Sequence, residues 1–174
     1  MVNKLSLQNP VLMNKAHDKQ TFDCGYGSLN VFLQKYALQN DRNNSSRTYV
    51  SICETTKKIA GYYTLTYGSI SHTEATRKVK KQMPNYPIPV IILARLAVSN
   101  EFKQLGVGKS LLKDALLRTM QASDIAGLRA IIAHAKDIKA KNFYLKYGFE
   151  ESILDEYHLM LSMQDFEFNL TSSI

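Results

Sequence analysis

Residues 90–120, VIILARLAVSNEFKQLGVGKSLLKDALLRTM, decide the fold of this chain. Their first part, residues 90–98, is almost entirely aliphatic, which is typical of a strand covered on both faces. Their last part repeats apolar residues at intervals near 3.6, so these side chains share one helix face. They are Val107, Leu111, Leu112, Ala115, Leu116 and Met120. The sequence therefore predicts a buried strand, a turn and a long amphipathic helix.

The turn between this strand and this helix carries Gly106 and Gly108 on either side of Val107. Such a turn directs several backbone N–H groups at one point, and the helix dipole adds partial positive charge there. The arrangement suits a pyrophosphate group. The same glycines also suit an ordinary strand–helix connection, and taken alone they slightly favour that simpler interpretation.

The remaining sequence predicts one α/β domain over residues 1–174, with a mixed sheet and helices on both faces. Ser28 is the expected N-cap of a first helix, and Asp137 is the expected N-cap of a helix that Gly148 ends. Further strands are expected at residues 48–54, 59–70, 128–135 and 158–163.

Composition narrows the class of protein. The chain has 174 residues, of which 45% are hydrophobic and 21% charged, as in a globular domain of one core. No stretch approaches the roughly 18 uninterrupted apolar residues of a membrane span, and the first residues lack the apolar block of a signal peptide. Cys24 and Cys53 have no metal-ligand spacing around them. We expect a cytoplasmic protein that binds neither membrane nor metal.

The net charge of +7 favours a polyanionic partner and disfavours cationic substrates such as polyamines. It does not by itself distinguish a nucleic-acid-binding protein. Four basic residues crowd one short stretch, namely Arg77, Lys78, Lys80 and Lys81. A run of this kind usually marks a solvated helix face.

The turn resembles the pyrophosphate motif of the GCN5-related N-acetyltransferase superfamily, Arg/Gln-x-x-Gly-x-Gly/Ala. The corresponding run here is Lys103-Gln104-Leu105-Gly106-Val107-Gly108, in which both glycines match and lysine replaces arginine or glutamine. Lysine offers charge as a point donor and not as a planar fork. The resemblance implies a mixed, mostly antiparallel sheet that splays between its fourth and fifth strands to admit acetyl-CoA.

Segments spread over about residues 20–165 resemble the acetyltransferase toxins of bacterial toxin–antitoxin pairs, which acetylate the α-amino group of aminoacyl-tRNA. These segments are FDCGYGSLNVFL (22–33), SRTYV (46–50), IAGYYTLTYGSI (59–70), PIPVIILARLAV (87–98), LRTMQASDIAGLRAIIAHA (117–135), NFYLKYGF (142–149) and HLMLSM (158–163). The resemblance implies a homodimeric enzyme that inhibits translation, pairs with a ribbon-helix-helix antitoxin and represses its own operon with it. Acetylation of protein N-termini, lysines or small amines is the alternative, and a module that only binds its partners is another.

The resemblance also implies roles for individual residues. Tyr144 matches the tyrosine that protonates the departing thiolate, and the backbone of Leu96, Ala97 and Val98 matches the strand that holds the acetyl oxygen and the pantetheine arm. The other residues expected at acetyl-CoA are Lys103, Gln104, Leu105, Gly106, Val107, Gly108, Lys109 and Asn142. Those expected at tRNA are Arg77, Lys78, Lys80, Lys81 and Arg95. Tyr144 could instead only pack on the core, and Arg95 could be a structural residue of the sheet.

The chemistry of an α-amine reduces the need for a general base. Its pKa in peptides is about 7.7–8.0, and an adjacent ester should lower it further, so much of it is unprotonated at neutral pH. His134 lies between Ala133 and Ala135 on an expected buried strand, and a hydrogen-bonded core residue is a more common role there than a base. Tyr63 and Tyr67 share a strand face by alternation, where core packing is a safer interpretation than an acceptor channel.

Overall fold

The computed structural model describes residues 6–171, with side chains up to residue 167. The strands are β1 (Val11–Leu12), β2 (Arg47–Ile52), β3 (Ile59–Ile70), β4 (Ile88–Val98), β5 (Ala130–His134), β6 (Glu150–Glu151) and β7 (His158–Ser162). The helices are α1 (Gly27–Val31), α2 (Ala37–Arg42), α3 (Arg77–Lys80), α4 (Val107–Ile125), α5 (Ile138–Lys146) and α6 (Met163–Thr171). A π-helical turn at Phe32–Tyr36 joins α1 to α2, and a 3₁₀ turn at Asn100–Phe102 precedes α4.

Within residues 6–171 the seven strands form one mixed sheet in the order β1-β2-β3-β4-β5-β7-β6. The β4–β5 pair is parallel, whereas the pairs β1–β2, β2–β3, β5–β7 and β6–β7 are antiparallel. The register between β4 and β5 runs from Val90 opposite Ala130 to Leu93 opposite Ala133, while β4 itself continues to Val98. The mixed α/β architecture predicted from the sequence is confirmed.

The chain forms two compact units. Among the described residues, the first unit contains those up to Thr66 together with Ala94–Ala115, and the second contains Tyr67–Leu93 together with those from Leu116 to Thr171. The core of the first unit includes Met13, Phe22, Phe32, Leu33, Val50, Ile52, Ile59, Tyr62 and Ala97. The core of the second unit includes Ala75, Val79, Ile88, Val90, Ala130, Ile132 and Met160.

Most of the predicted elements are present, and the differences are local. The N-cap of the first helix is Tyr26 and not Ser28, because Gly25 turns the chain at φ +84° and the next residue is extended. The prediction for Asp137 is confirmed, since its side chain accepts a hydrogen bond from the Ala140 N–H over 2.8 Å. β4 is not covered along its whole length, because Ala94 is exposed. The described part of the chain contains no helix both long and apolar enough to cross a membrane.

Candidate active site

The turn before α4 has the backbone geometry of an anion-binding site. Gln104 and Gly106 have left-handed φ values of +64° and +80°, and α4 begins at Val107, whose side chain is buried. The first N–H groups of a helix have no partner within the helix, so those of α4 are available to a ligand. A Cβ atom added at Gly106 would meet no atom within 4 Å, so there is room beside these donors. The turn therefore fits a pyrophosphate.

The side chains around this turn contribute unequally. Gln104, Leu105 and Lys109 are exposed, whereas Gly108 is half-buried within the first turn of α4. Because glutamine adopts φ +64° less readily than glycine does, the backbone at Gln104 is held in place by its neighbours. The backbone of the turn, more than its side chains, offers the donors.

Lys103 faces a neighbouring loop. Its ammonium group donates a hydrogen bond of 3.1 Å to the backbone carbonyl of Cys24. The Asp23 carboxylate in this loop accepts hydrogen bonds of 2.8 Å from the Gly25 N–H and from the Asn30 amide, and these bonds lower the pKa of Asp23. The loop and the segment before the turn are thus joined through Lys103.

The end of β4 presents its backbone beside β3. Ala97 is buried, whereas Leu96 and Val98 are half-buried, so the strand alternates at this point. A Cβ atom at Gly61 would lie 2.9 Å from the Ala97 carbonyl oxygen and 3.0 Å from Val107 Cγ1. The close approach of β4 and of the first turn of α4 to β3 therefore depends on the absence of a side chain at Gly61.

Arg95 has a structural contact in the first unit. Its guanidinium carbon lies 3.7 Å from the centroid of the Phe32 ring, and that ring stacks on Tyr62 at 6.3 Å. A cation above an aromatic face is attracted to the ring quadrupole. The arginine of this otherwise aliphatic strand is thus matched by an aromatic ring.

Tyr144 lies in the second unit, on α5. Its ring centroid is 5.3 Å from the ring centroids of both Phe143 and Phe149, and its side chain is buried. Burial raises the pKa of its phenol, so the group keeps its proton at neutral pH. Among residues 6–167 the phenol oxygen has no hydrogen-bond partner. Tyr144 therefore both packs on the core and retains an uncommitted O–H donor.

Next to the exposed Asn142, α5 carries a buried charge that the sequence did not reveal. The Lys141 ammonium lies 2.7 Å from Glu151 Oε1 and 2.5 Å from Glu156 Oε2, and these hydrogen bonds raise its pKa. The two contacts tie the helix that bears Tyr144 to the end of β6 and to the segment between β6 and β7. A charge pattern alone could not identify these partners, because one ends a short strand and the other lies in an irregular segment.

The structure divides the four basic residues at residues 77–81. Lys78 forms ion pairs with Glu150 at 2.7 Å and with Asp165 at 3.2 Å, and both raise its pKa. Arg77, Lys80 and Lys81 form no ion pair with any described acidic residue. The Thr76 hydroxyl accepts a hydrogen bond from the Val79 N–H and caps α3. Three of the four charges thus remain for a polyanionic ligand.

The core prediction for His134 is wrong. Its side chain is exposed at the end of β5 and stacks on His158, with ring centroids 3.9 Å apart. β5 is buried continuously from Ala130 to Ala133, and this burial ends at His134, which is why the apolar pattern misled. For the two tyrosines, core packing is confirmed for Tyr63, which is fully buried and hydrogen-bonded to the Asp114 carboxylate, but Tyr67 is 65% exposed.

Known proteins resemble this chain over most of its length. Residues 44–151 match the family described as the acetyltransferase (GNAT) domain. The chain is 41% identical over 156 residues to a tRNA-acetylating toxin of Mycobacterium tuberculosis, a match that covers 90% of this chain and 92% of that protein. Its structure is similar to that of AtaT complexed with acetyl-methionyl-tRNAfMet, with a TM-score of 0.87 and 26% identity over 95% of this chain and 99% of the other.

A second solved structure is also similar over 95% of this chain. It is an AtaT mutant toxin, with tyrosine replaced by phenylalanine, bound to the C-terminus of the antitoxin AtaR and to acetyl-CoA. The TM-score is 0.79 and the identity 27%, over 95% of this chain and 99% of the other.

Proposed function

Because the chain belongs to the acetyltransferase (GNAT) family, we propose that it transfers the acetyl group of acetyl-CoA to the α-amino group of aminoacyl-tRNA and thereby inhibits translation. The observation that carries this proposal is the 41% identity to a tRNA-acetylating toxin over 90% of the chain. A blocked amine cannot attack the peptidyl ester, so an acetylated aminoacyl-tRNA cannot extend a protein.

The proposed acetyl-CoA site comprises residues of the α4 turn and of the end of β4. The N–H groups at Gly106, Val107, Gly108 and Lys109 hold the pyrophosphate, and the open space above Gly106 accommodates it. Lys103 connects this turn to the neighbouring loop through its hydrogen bond to the Cys24 carbonyl. The proposed site also includes Gln104, Leu105 and Asn142, which are exposed. The backbone of Leu96, Ala97 and Val98 orients the acetyl oxygen by hydrogen bonding.

Acetyl-CoA supplies an activated thioester, and the protein supplies the proton donor for the departing thiolate. The α-amine of an aminoacyl ester is largely unprotonated at neutral pH, so the chain needs no dedicated base for it. The raised pKa of Tyr144 supports its role as the proton donor to the departing sulfur, because burial keeps the phenol protonated.

The proposed tRNA surface is basic. Arg77, Lys80 and Lys81 carry charge that no described acidic residue neutralises, whereas Lys78 contributes by fixing α3 through its ion pairs. The net charge of +7 supports a polyanionic substrate. Arg95 stacks on Phe32, so we assign it a mixed role, in which the ring holds the guanidinium for contact with the acceptor end.

The proposal extends to partners and location. We propose a cytoplasmic homodimer in which residues 1–174 of each protomer form one N-acetyltransferase domain. An antitoxin of the ribbon-helix-helix class would neutralise it and, together with the toxin, repress the operon. The similarity to a toxin bound to an antitoxin C-terminus supports such a partner.

A direct assay tests this function. Purified protein is incubated with labelled acetyl-CoA and with total aminoacyl-tRNA, and the products are analysed by mass spectrometry after release of the amino acids. We expect N-acetylated amino acids from charged tRNA. The same assay offers peptides with free N-termini, lysine peptides and spermidine. Acetylation of any of these in preference to charged tRNA would replace the proposal by the alternative class of acceptor.

A further inference from the structure

The short helix α3 presents the basic residues, and it is not stable by its own length. It spans four residues, Arg77–Lys80, whereas isolated helices shorter than about 12 residues are marginal in water. Thr76 caps its N-terminus through a hydrogen bond from the Val79 N–H. Lys78 anchors α3 through ion pairs with Glu150 and Asp165. The C-terminal carbonyls of α3 need partners of their own.

Arg129 provides these partners. Its Nε donates to the Val79 carbonyl over 2.8 Å, and its Nη2 donates to the carbonyls of Lys81 over 2.9 Å and of Lys78 over 3.3 Å. A planar guanidinium with donors in a fixed fork suits several carbonyls at once, which a lysine ammonium does less well. A cation at the C-terminus of a helix also complements its dipole.

The backbone of Arg129 is itself fixed. Its N–H donates to the Pro89 carbonyl over 2.9 Å, and its carbonyl accepts from the Met163 N–H over 3.1 Å. Arg129 is therefore held between β4 and α6 at the start of β5, while its side chain reaches α3. The elements that hold the Arg129 backbone are thus connected, through its side chain, to the end of α3.

The contacts of Arg129 suggest a division of roles within the basic residues of the second unit. The charged group of Arg129 bonds to carbonyls of the α3 segment, that of Lys78 forms ion pairs with neighbouring carboxylates, and the Val79 side chain is buried. The charged groups of Arg77, Lys80 and Lys81 form no ion pair with any described acidic residue. We propose that Arg129 is a positioning residue for tRNA, which orients the charges of Arg77, Lys80 and Lys81 toward successive phosphates. This inference rests on the proposed function, since it assigns the substrate of that function to this surface.

The test measures both binding and turnover. Arg129→Met keeps the approximate volume and removes all donors, Arg129→Lys keeps the charge without the fork, and Lys139→Met removes one exposed charge elsewhere in the second unit as a control. Binding of uncharged tRNA is followed by fluorescence anisotropy, and KM and kcat are measured for charged tRNA and for acetyl-CoA. Thermal melting verifies that each variant is folded.

We expect Arg129→Met to raise the tRNA Kd and KM about tenfold, while kcat and the KM for acetyl-CoA stay within about twofold. Arg129→Lys should recover part of this loss. Each phosphate contact on a duplex contributes about −0.9 to the slope of log K against log salt concentration, so a lost contact makes the slope less negative. Because Arg129 positions several cations, Arg129→Met should reduce the magnitude of this slope by more than the loss of one contact would. Lys139→Met should reduce it by less.

Two outcomes would overturn the inference. One is an unchanged tRNA Kd in folded Arg129→Met. The other concerns a protein that already carries Arg77→Met, Lys80→Met and Lys81→Met. In that protein, Arg129→Met should raise the tRNA Kd by less than about a further twofold, because no charges remain to be positioned. A full additional loss there would mean that Arg129 contacts tRNA itself. If Arg129→Met does not fold, Arg129→Lys is compared in both backgrounds by the same criterion. Failure of the wild type to acetylate charged tRNA would overturn the proposed function alone, since tRNA binding is measured independently.

Discussion

The ammonium group of Lys103 and the backbone carbonyl of Cys24 are joined by a hydrogen bond of 3.1 Å. Lys103 occupies the first position of the run that resembles the pyrophosphate motif, where a positively charged side chain would be expected to contact the cofactor phosphates. In this chain the charge serves the contact between two loops of the first unit. In the proposed site, the backbone N–H groups at the start of α4 would then bind the phosphates.

Replacement of Lys103 separates these two roles. We expect Lys103→Met to lower the free energy of unfolding by about 1 kcal/mol, because one hydrogen bond is lost. The acetyl-CoA Kd measured by calorimetry should rise by less than about threefold. Lys103→Arg, which retains a donor, serves as the matched variant. A loss of affinity of tenfold or more at unchanged melting temperature would instead mean that Lys103 contacts phosphate.

A methyl group at Gly61 tests the packing beneath the cofactor site. In Gly61→Ala the new Cβ would lie 2.8 Å from Leu111 Cδ1 and 2.9 Å from the Ala97 carbonyl oxygen, so β4 and α4 must move apart from β3. Overpacking of this kind costs about 1–3 kcal/mol of folding free energy. Because Ala97 and Val107 belong to the proposed site, the acetyl-CoA KM should also rise.

The control for Gly61 is Gly127→Ala, since a Cβ there would meet no atom within 4 Å. Chemical denaturation and steady-state kinetics should show no significant change for it. Equal effects of the two substitutions would contradict the explanation by close approach.

Periodicity made the main elements of the fold predictable. The stripe from Val107 to Leu116 and the apolar run at Ile88–Val98 each report on one local geometry, which a sequence displays directly. The turn before α4 was predictable for the same reason, because its glycines lie within one short motif. Such features need no knowledge of distant residues.

Contacts between distant segments could not be predicted in this way. Arg129 and Val79 are 50 residues apart, and nothing in the local sequence of either residue indicates the other. Lys103 and Cys24 are 79 residues apart. His134 continued an apolar pattern, but it is the last residue of β5 and is exposed there, although it still pairs with His158 of β7. Side-chain partners of charged residues are thus the part of the site that only the folded chain defines.

Removal of one hydroxyl group tests the proton donor. Tyr144→Phe retains the ring that packs on Phe143 and Phe149, so the melting temperature should change little. Loss of the donor should lower kcat about 10²-fold or more, with the acetyl-CoA Kd unchanged. Tyr147→Phe, at the residue that directly follows α5, is the matched control and should keep its activity. If Tyr144→Phe acetylated charged tRNA at the wild-type rate, another group would have to protonate the sulfur.

The same variant distinguishes an enzyme from a protein that inhibits growth by binding alone. We expect expression of Tyr144→Phe to be tolerated by cells in which the wild type arrests growth. Equal growth arrest at equal protein level would favour the binding module.

The stacked pair of His134 and His158 should make stability depend on pH. Partial desolvation by the packed neighbours and the nearby His158 lower the pKa of His134 below its ordinary value of about 6.5, although Asp155 and Glu74 oppose this shift. Below that ordinary value the unfolded chain binds more protons at this site than the folded chain does. The free energy of unfolding must therefore fall as the pH decreases through this range.

Substitution His134→Gln should remove this contribution and leave the others. His17, whose pKa burial also lowers, and the carboxylates that titrate at lower pH remain in both proteins. Between about pH 7 and about pH 5, the free energy of unfolding from urea titrations should fall less steeply in His134→Gln than in the wild type. Parallel curves would show that the histidine in the folded protein binds its proton as readily as in the unfolded chain, so that the stacked neighbour imposes no cost on its charge.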